Sequence, residues 1–205
     1  MTKSDDSLAH VHADIERCLD CRNLAPGLRK PIKMDRGDVG QVLIVGQAPG
    51  NAEHTRERAF AGAAGTTLNQ WLVASGADPI APRRGVYMTS VLKCLCPTKS
   101  LFPHMADRCR GFLSRQIGLI RPALVITLGR PAFQELRVVD TLDYDDALCI
   151  VYSTAEHVLV TNANHHYKLV HWPHPSGLNR WHNSASNRAR LETSFGVLHE
   201  YFKQG

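Results

Sequence analysis

Short apolar runs alternate along this chain with longer stretches in which apolar residues recur at helical spacing. Val42-Leu43-Ile44-Val45 is continuous and rich in β-branched side chains, the mark of a strand buried on both faces of a parallel sheet. It predicts a strand over 41–46, stopped by Gly46 and followed by a tight loop at Pro49-Gly50. Similar runs predict strands over 86–91 and 124–129, with Val158-Leu159-Val160 and Leu169-Val170 as two more. Leu8, Val11, Ile15, Cys18 and Leu19 fall near one face and predict a helix over 8–21. Thr66, Leu68, Trp71 and Leu72 predict a helix over 65–75, closed by Gly76. Met105, Cys109, Phe112, Leu113, Ile117 and Ile120 predict a long amphipathic helix over 104–120. A short helix over 130–136 and a last one over 186–202 complete the set. Residues 22–40 and 47–65 read as irregular connections, Asp143-Tyr144-Asp145-Asp146 as a turn, and 147–152 as a strand or hairpin.

The order β-α-β-α-β-α predicts one domain over residues 1–205, a three-layer α/β/α arrangement around a central, mainly parallel sheet. The 205 residues suffice for a sizeable core. A strand, a Gly/Pro loop and a helix in succession mark where such a fold places its site. No apolar run approaches the roughly 20 residues that span a bilayer, and Met1-Thr2-Lys3-Ser4-Asp5-Asp6 lacks the apolar segment of a secretory signal. A cytoplasmic monomer with no membrane partner is expected. The formal net charge of +5 permits a nucleic-acid partner. Arg56/Arg58, Arg83/Arg84 and Arg180/Arg188/Arg190 form groups that read either as solvated faces or as a phosphate track.

Six cysteines in a cytoplasmic chain do not suggest a disulfide framework. Cys18 and Cys21 form a C-x-x-C pair, and Cys94 and Cys109 flank a Pro-containing loop. Four thiolates can hold a [4Fe–4S] cluster or a zinc ion; buried free thiols are the plainer alternative. Cys96 is a substitute candidate for Cys94, and Cys149 reads as core. In His174-Pro175-Ser176-Gly177-Leu178, Pro175 and Gly177 make a stiff turn. A histidine held there can donate a hydrogen bond to developing negative charge. Leu178, at the tip, is either a wedge for a base stack or a side chain folded back into the core.

These segments resemble the uracil-DNA glycosylase superfamily, specifically its iron–sulfur branches. Gly46-Gln47-Ala48-Pro49-Gly50 and Arg58-Ala59-Phe60-Ala61-Gly62-Ala63-Ala64-Gly65 are similar to the family's first motif, Gly-Glu-Ala-Pro-Gly then Arg-Pro-Phe-x-Gly-x-Ala-Gly. Val86-Tyr87-Met88-Thr89-Ser90-Val91-Leu92-Lys93-Cys94 resembles Val-Tyr-Ile-Thr-Asn-Val-Val-Lys-Cys, and the stretches 109–113 and 120–130 resemble its central block. His174-Pro175-Ser176 matches the second motif. The resemblance covers about residues 14–200 and departs from the pattern twice. Gln47 replaces the Glu that positions water, and Ser90 replaces the Asn that reads the uracil edge.

The resemblance implies a glycosylase that flips uracil, or a related deaminated base, out of single- or double-stranded DNA and hydrolyses the N-glycosidic bond. His174 and Gln47 take the catalytic positions; Gly46, Ala48, Asn51, Phe60 and Ser90 surround the base, with Phe60 stacked on it. Ser176, Leu178, Asn179 and Arg180 meet the DNA, and Cys18, Cys21, Cys94 and Cys109 hold the cluster, with zinc as the alternative metal. Gln cannot act as a carboxylate base, and Glu53 and His54 are the nearest titratable residues that can, unless they point to solvent. Two other readings stand beside this one: a binder of uracil-containing or abasic DNA without turnover, and a nucleoside or glycoside hydrolase.

Overall fold

The continuous apolar runs become strands because their backbone polar groups pair with neighbours while both side-chain faces are buried. A computed structural model describes residues 7–32, 41–136, 142–153 and 165–202. Its strands are β1 (Val42–Gly46), β2 (Val86–Ser90), β3 (Leu124–Leu128), β4 (Val151–Ser153) and β5 (Lys168–Trp172). They form one sheet in the order β2-β1-β3-β5-β4. β1 pairs in parallel with β2 and β3, and β3 with β5; only β4 runs antiparallel. The mainly parallel sheet expected from the sequence is therefore present.

Alternate residues of each strand feed two cores. Leu43, Val45, Tyr87, Val125 and Leu169 face one layer, where they meet the helices α1 (Leu8–Arg17), α4 (Phe102–Ile120) and α5 (Arg130–Leu136). Ile44, Met88, Ile126, Val170 and Trp172 face the other, against α3 (Ala63–Ala74) and α7 (Ala185–Phe202). Leu68, Leu72 and Leu198 are fully buried there, each contributing roughly 1.5–3 kcal/mol of hydrophobic stabilisation. Trp172 donates its Nε1–H to Ser194 Oγ at 3.0 Å, so its one polar atom is satisfied inside the core.

Several elements depart from the sequence expectation. α1 ends at Arg17, and Cys18 is already extended. The chain turns there so that Cys21 is buried while Leu19 stays 54% exposed; the Leu19 that suggested a longer apolar face is not on one. The stretch expected as a loop over 47–65 contains α2 (Asn51–Arg56), a six-residue helix with no buried residue and hence no apolar periodicity to betray it. Residues Tyr144–Ala147 form one helical turn, α6, capped by the Asp143 side chain. The strand near 147–152 is β4, three residues long. The strand expected at 158–160 lies outside the described residues. No helix among the described residues is long and apolar enough to cross a membrane.

His171, in β5, is fully buried; its Nδ1 lies 2.6 Å from Thr127 Oγ1, and Phe133 packs edge-on to its ring. Burial lowers its pKa to about 3. An unfolded histidine titrates near 6.5, so on acidification the unfolded chain takes up a proton that the fold refuses. Stability is therefore full above pH 6.5 and falls as the pH drops toward 3, by about 2 kcal/mol at pH 5. Thermal melts at pH 7.5 and pH 5 should show a smaller acid loss in the Thr127→Val/His171→Leu protein, which removes both polar partners. An unchanged acid loss would place its origin elsewhere.

Candidate functional site

The sheet's carboxyl ends open into a cavity of about 170 Å³, lined by residues that include Gly46, Ala48, Pro49, Gly50, Phe60, Thr89, Ser90 and His174. Its position follows from the register. Gly46 stands beside Ser90 across the β1–β2 ladder, and the strand order reverses between β1 and β3, next to the usual crevice of an open α/β sheet. Main-chain bonds from Val91 N to Gly46 O (2.9 Å) and Leu92 N to Gln47 O (3.0 Å) extend the pairing past the strand ends and hold both loops.

Phe60 forms one wall. A Cβ on Gly46 would lie 2.8 Å from Phe60 Cζ, so the ring rests on the bare glycine. His174 also lines the cavity, and its Nδ1 accepts the Ser176 N–H at 3.3 Å. In a neutral ring that leaves the proton on Nε2, a donor. Burial lowers the His174 pKa, the nearby Glu53 charge raising it in part, so the neutral donor is the form present at neutral pH. The turn behind it is fixed by Asn179, whose Nδ2 donates to His174 O (3.0 Å) and whose Oδ1 accepts the Trp181 N–H (3.0 Å).

The remaining candidate residues divide. Ser90 lines the cavity, but its hydroxyl donates to Leu92 O at 2.5 Å. Gln47 and Asn51 are not on the lining; Asn51 opens α2 and is exposed. Glu53 is on it, facing inward: its carboxylate accepts N–H groups from Gly50 (2.9 Å), Ala61 (2.9 Å) and Gly62 (3.2 Å). Those bonds stitch the two glycine-rich loops together and leave little lone-pair capacity for a base. Leu178 is 94% exposed, so the alternative of a leucine folded into the core falls away. Arg180 is exposed and Ser176 half-buried. The arginine groups are only partly a surface feature. Arg188 donates to His182 O and Asn183 O, Arg190 to Leu148 O, and Arg83 to the carbonyls of Ala59 and Phe60.

The four cysteines singled out by spacing line a second cavity of about 20 Å³ with Leu28, Arg29 and Lys93. Burial pushes Cys94 up to about 12 and Cys21 up to about 11, with Cys109 nearby adding to both. Cys96 lies apart, its Sγ donating to Thr98 O at 3.0 Å. Among the described residues no three ligand side chains converge on one point as a single ion requires. Beside the thiols the Lys93 side chain is fully buried, its Nζ donating to Thr89 Oγ1 (2.8 Å), Gln116 Oε1 (2.9 Å) and Ser90 O. Burial lowers its pKa to about 7, the Cys109 charge acting against this. No carboxylate pairs with it among the described residues; Asp20 and the four cysteines line the same cavity. Four cysteine side chains lining one cavity are a donor set that suits a thiolate-held metal centre.

Comparison with known proteins gives a consistent family. The profile of the uracil DNA glycosylase superfamily matches residues 36–194. The chain is 32% identical over 136 residues to a type-4 uracil-DNA glycosylase of Archaeoglobus fulgidus, covering 63% of each. It is 35% identical over 131 residues to one from Pyrobaculum aerophilum (60% of each). With one from Thermotoga maritima it shares 34% over 141 residues, covering 64% of this chain and 67% of that protein. The chain thus spans about three fifths to two thirds of the length of these relatives.

The seat of Phe60 on Gly46 predicts that Gly46→Ala destabilises the protein by about 1–3 kcal/mol through overpacking. Calorimetry should show a clearly lowered Tm; a melt superimposable on wild type would mean that the ring moves aside freely.

Proposed function

The chain belongs to the uracil DNA glycosylase superfamily, and on that footing we propose that it excises uracil, or a related deaminated base, from DNA. The observation that carries this reading is the cavity that sets an aromatic ring, Phe60, against a neutral histidine donor, His174. A base within a duplex is out of reach, so it is flipped into the cavity at a cost of a few kcal/mol. Phe60 stacks on it, a contact worth roughly 1–3 kcal/mol per base. Leu178, exposed at the tip of its turn, fills the gap left in the stack. Arg180 and Ser176 lie on the same turn, within the region that would meet the phosphates.

As the glycosidic bond breaks, the sugar becomes oxocarbenium-like and the base departs as an anion. His174 Nε2–H donates to the carbonyl oxygen on which that charge collects. Neutrality suits this task, since the donor gives no general attraction to anions in the free enzyme. Neither Gln47, off the lining, nor Glu53, occupied by three main-chain N–H groups, is set up as a general base. Such a base typically adds about 10²–10⁴-fold. An oxocarbenium ion is electrophilic enough to take an unactivated water, and the electrostatic contribution of His174 then dominates.

Cys18, Cys21, Cys94 and Cys109 would hold a [4Fe–4S] cluster. Ligation by four thiolates alone is the chemistry of such a cluster, with a zinc ion as the alternative. Its contribution would be structural, joining the segment after α1 to the loop after β2.

Single-turnover cleavage of uracil in single-stranded and duplex DNA, with deoxyuridine as control, tests the activity. Cleavage of DNA but not of the nucleoside is expected. DNA bound but left intact would favour the binder, and equal attack on deoxyuridine a nucleoside hydrolase. In the same assay His174→Ala should lose about 10²–10³-fold, Gln47→Ala little, and Leu178→Ala more on duplex than on single strands. Abolition by Gln47→Ala with a near-normal His174→Ala would instead make water positioning by the Gln47 amide the central step. Anaerobically purified protein should be brown with equal iron and sulfide. A colourless protein with stoichiometric zinc would replace the cluster by a zinc site.

A further inference from the structure

Phe60 has φ 48, in the left-handed region that a phenylalanine does not enter on its own account. Its ring is the flat wall of the cavity, so whatever enforces this backbone also aims the ring. Three contacts converge behind it. Arg83 Nη2 donates to Phe60 O at 2.8 Å and Nη1 to Ala59 O at 2.9 Å, while Nε donates to Asn69 Oδ1 at 2.8 Å and so ties the guanidinium to α3. The Phe60 carbonyl also lies against Gly65 of α3, where a Cβ would stand 1.8 Å from the oxygen. Just after Phe60 in the chain, the Glu53 carboxylate takes the N–H groups of Ala61 and Gly62. The loop is thus gripped by a cation on its carbonyls and an anion on its amides.

We propose that Arg83 is a positioning residue for base recognition: without touching the base, it locks Phe60 in the pose that stacks on it. This rests on the reading that a flipped base enters the cavity against Phe60. The planar fork is suited to two adjacent carbonyls and a side-chain amide at once, which a lysine ammonium on a flexible stem does not reproduce. Holding the ring before the base arrives removes the ordering cost from binding. Arg83 therefore acts on affinity for the base and not on affinity for the DNA backbone, and it works only through the Phe60 ring.

The test measures two ligands: free uracil, which needs the stack, and duplex DNA carrying a stable abasic-site analogue, which has no base to stack. Phe60→Ala and Arg83→Met should each weaken uracil binding about tenfold. The double variant should be no weaker than Phe60→Ala alone. Binding of the abasic DNA should stay within about twofold throughout. Arg83→Lys should recover little of the uracil affinity. Asn69→Ala, which frees the guanidinium while sparing the arginine, should weaken uracil a few-fold and leave the abasic DNA untouched. This variant stands in should Arg83→Met fail to fold, and unchanged uracil affinity in it overturns the clamp. Equal losses on both ligands, or losses that multiply in the double variant, would also overturn it, as they would mark a phosphate contact or a general loss of structure. Weakened binding in Phe60→Ala beside normal binding in Arg83→Met overturns the clamp alone. Unchanged binding in Phe60→Ala overturns the pocket reading and the clamp together.

Discussion

β1 is paired on both edges and buried on both faces, and that constraint decides where polar chemistry can occur. All five of its residues are buried, between β2 and β3 in the plane and two helical layers above and below. A strand so enclosed has no surface except its ends. At its carboxyl end Gly46 must turn without a side chain, because the Phe60 ring occupies the place a Cβ would take. The cavity exists because the sheet ends there and because the residue that ends it is the smallest one. Gly129 makes a similar provision for His174. It has φ +83, and a Cβ on it would come within 3.1 Å of His174 Cβ.

Lys93 connects this cavity to the cysteines. A fully buried ammonium is expensive unless it is hydrogen-bonded and matched by negative charge. Its three acceptors include the hydroxyl of Thr89 and the carbonyl of Ser90, both cavity residues, and the cysteines line the space beside it. Gln116, a further acceptor, passes the network on to Tyr87, whose hydroxyl meets His12 of α1 at 2.6 Å. The polar interior of this layer thus runs unbroken from α1 through α4 to the end of β2. A thiolate-held centre there would match the Lys93 charge and the wall of the cavity would share in that balance.

The parts of this architecture legible in the sequence are those in which a residue type has one use. Val42-Leu43-Ile44-Val45 could hardly be anything but a doubly buried strand, and four cysteines at two separated places suggested a shared set of ligands, which the fold brings to one cavity. The glycines and prolines of the two motif loops marked the turns that carry Phe60 and His174. What stayed hidden depended on orientation. Arg83, following Pro82 in a polar stretch, has the look of a solvated arginine, yet its guanidinium points inward to two carbonyls. Glu53 looked equally able to face solvent, and its direction is set by N–H groups eight and nine residues further on. α2 has no apolar face to give it away, and α1 ends where burial switches from Leu19 to Cys21. Arg83 was decided by carbonyls more than twenty residues away and Glu53 by the fold of its own loop, neither of which hydrophobic periodicity registers.

The two loops that would meet a substrate hold His174 and Phe60 in place and leave Leu178 exposed, and that contrast fits their proposed tasks. Electrostatic help to a departing anion depends on a donor already in place, since reorienting a dipole during the reaction forfeits most of its benefit. His174 satisfies this through the Ser176 N–H on Nδ1, the Asn179 amide on its carbonyl and the close approach of Gly129. Phe60 satisfies it through Arg83 and Glu53. Two residues further along the same turn as Ser176, Leu178 stands clear of the protein at 94% exposure. An apolar side chain left in water there costs hydrophobic free energy that folding does not recover. That cost is recovered when Leu178 enters an apolar setting, and a vacated base stack is such a setting. The same turn that fixes His174 from behind therefore presents Leu178 outward. On the proposed function, insertion of Leu178 and seating of the base would be one event along a single short loop, with His174 held by its hydrogen bonds and the Leu178 tip exposed.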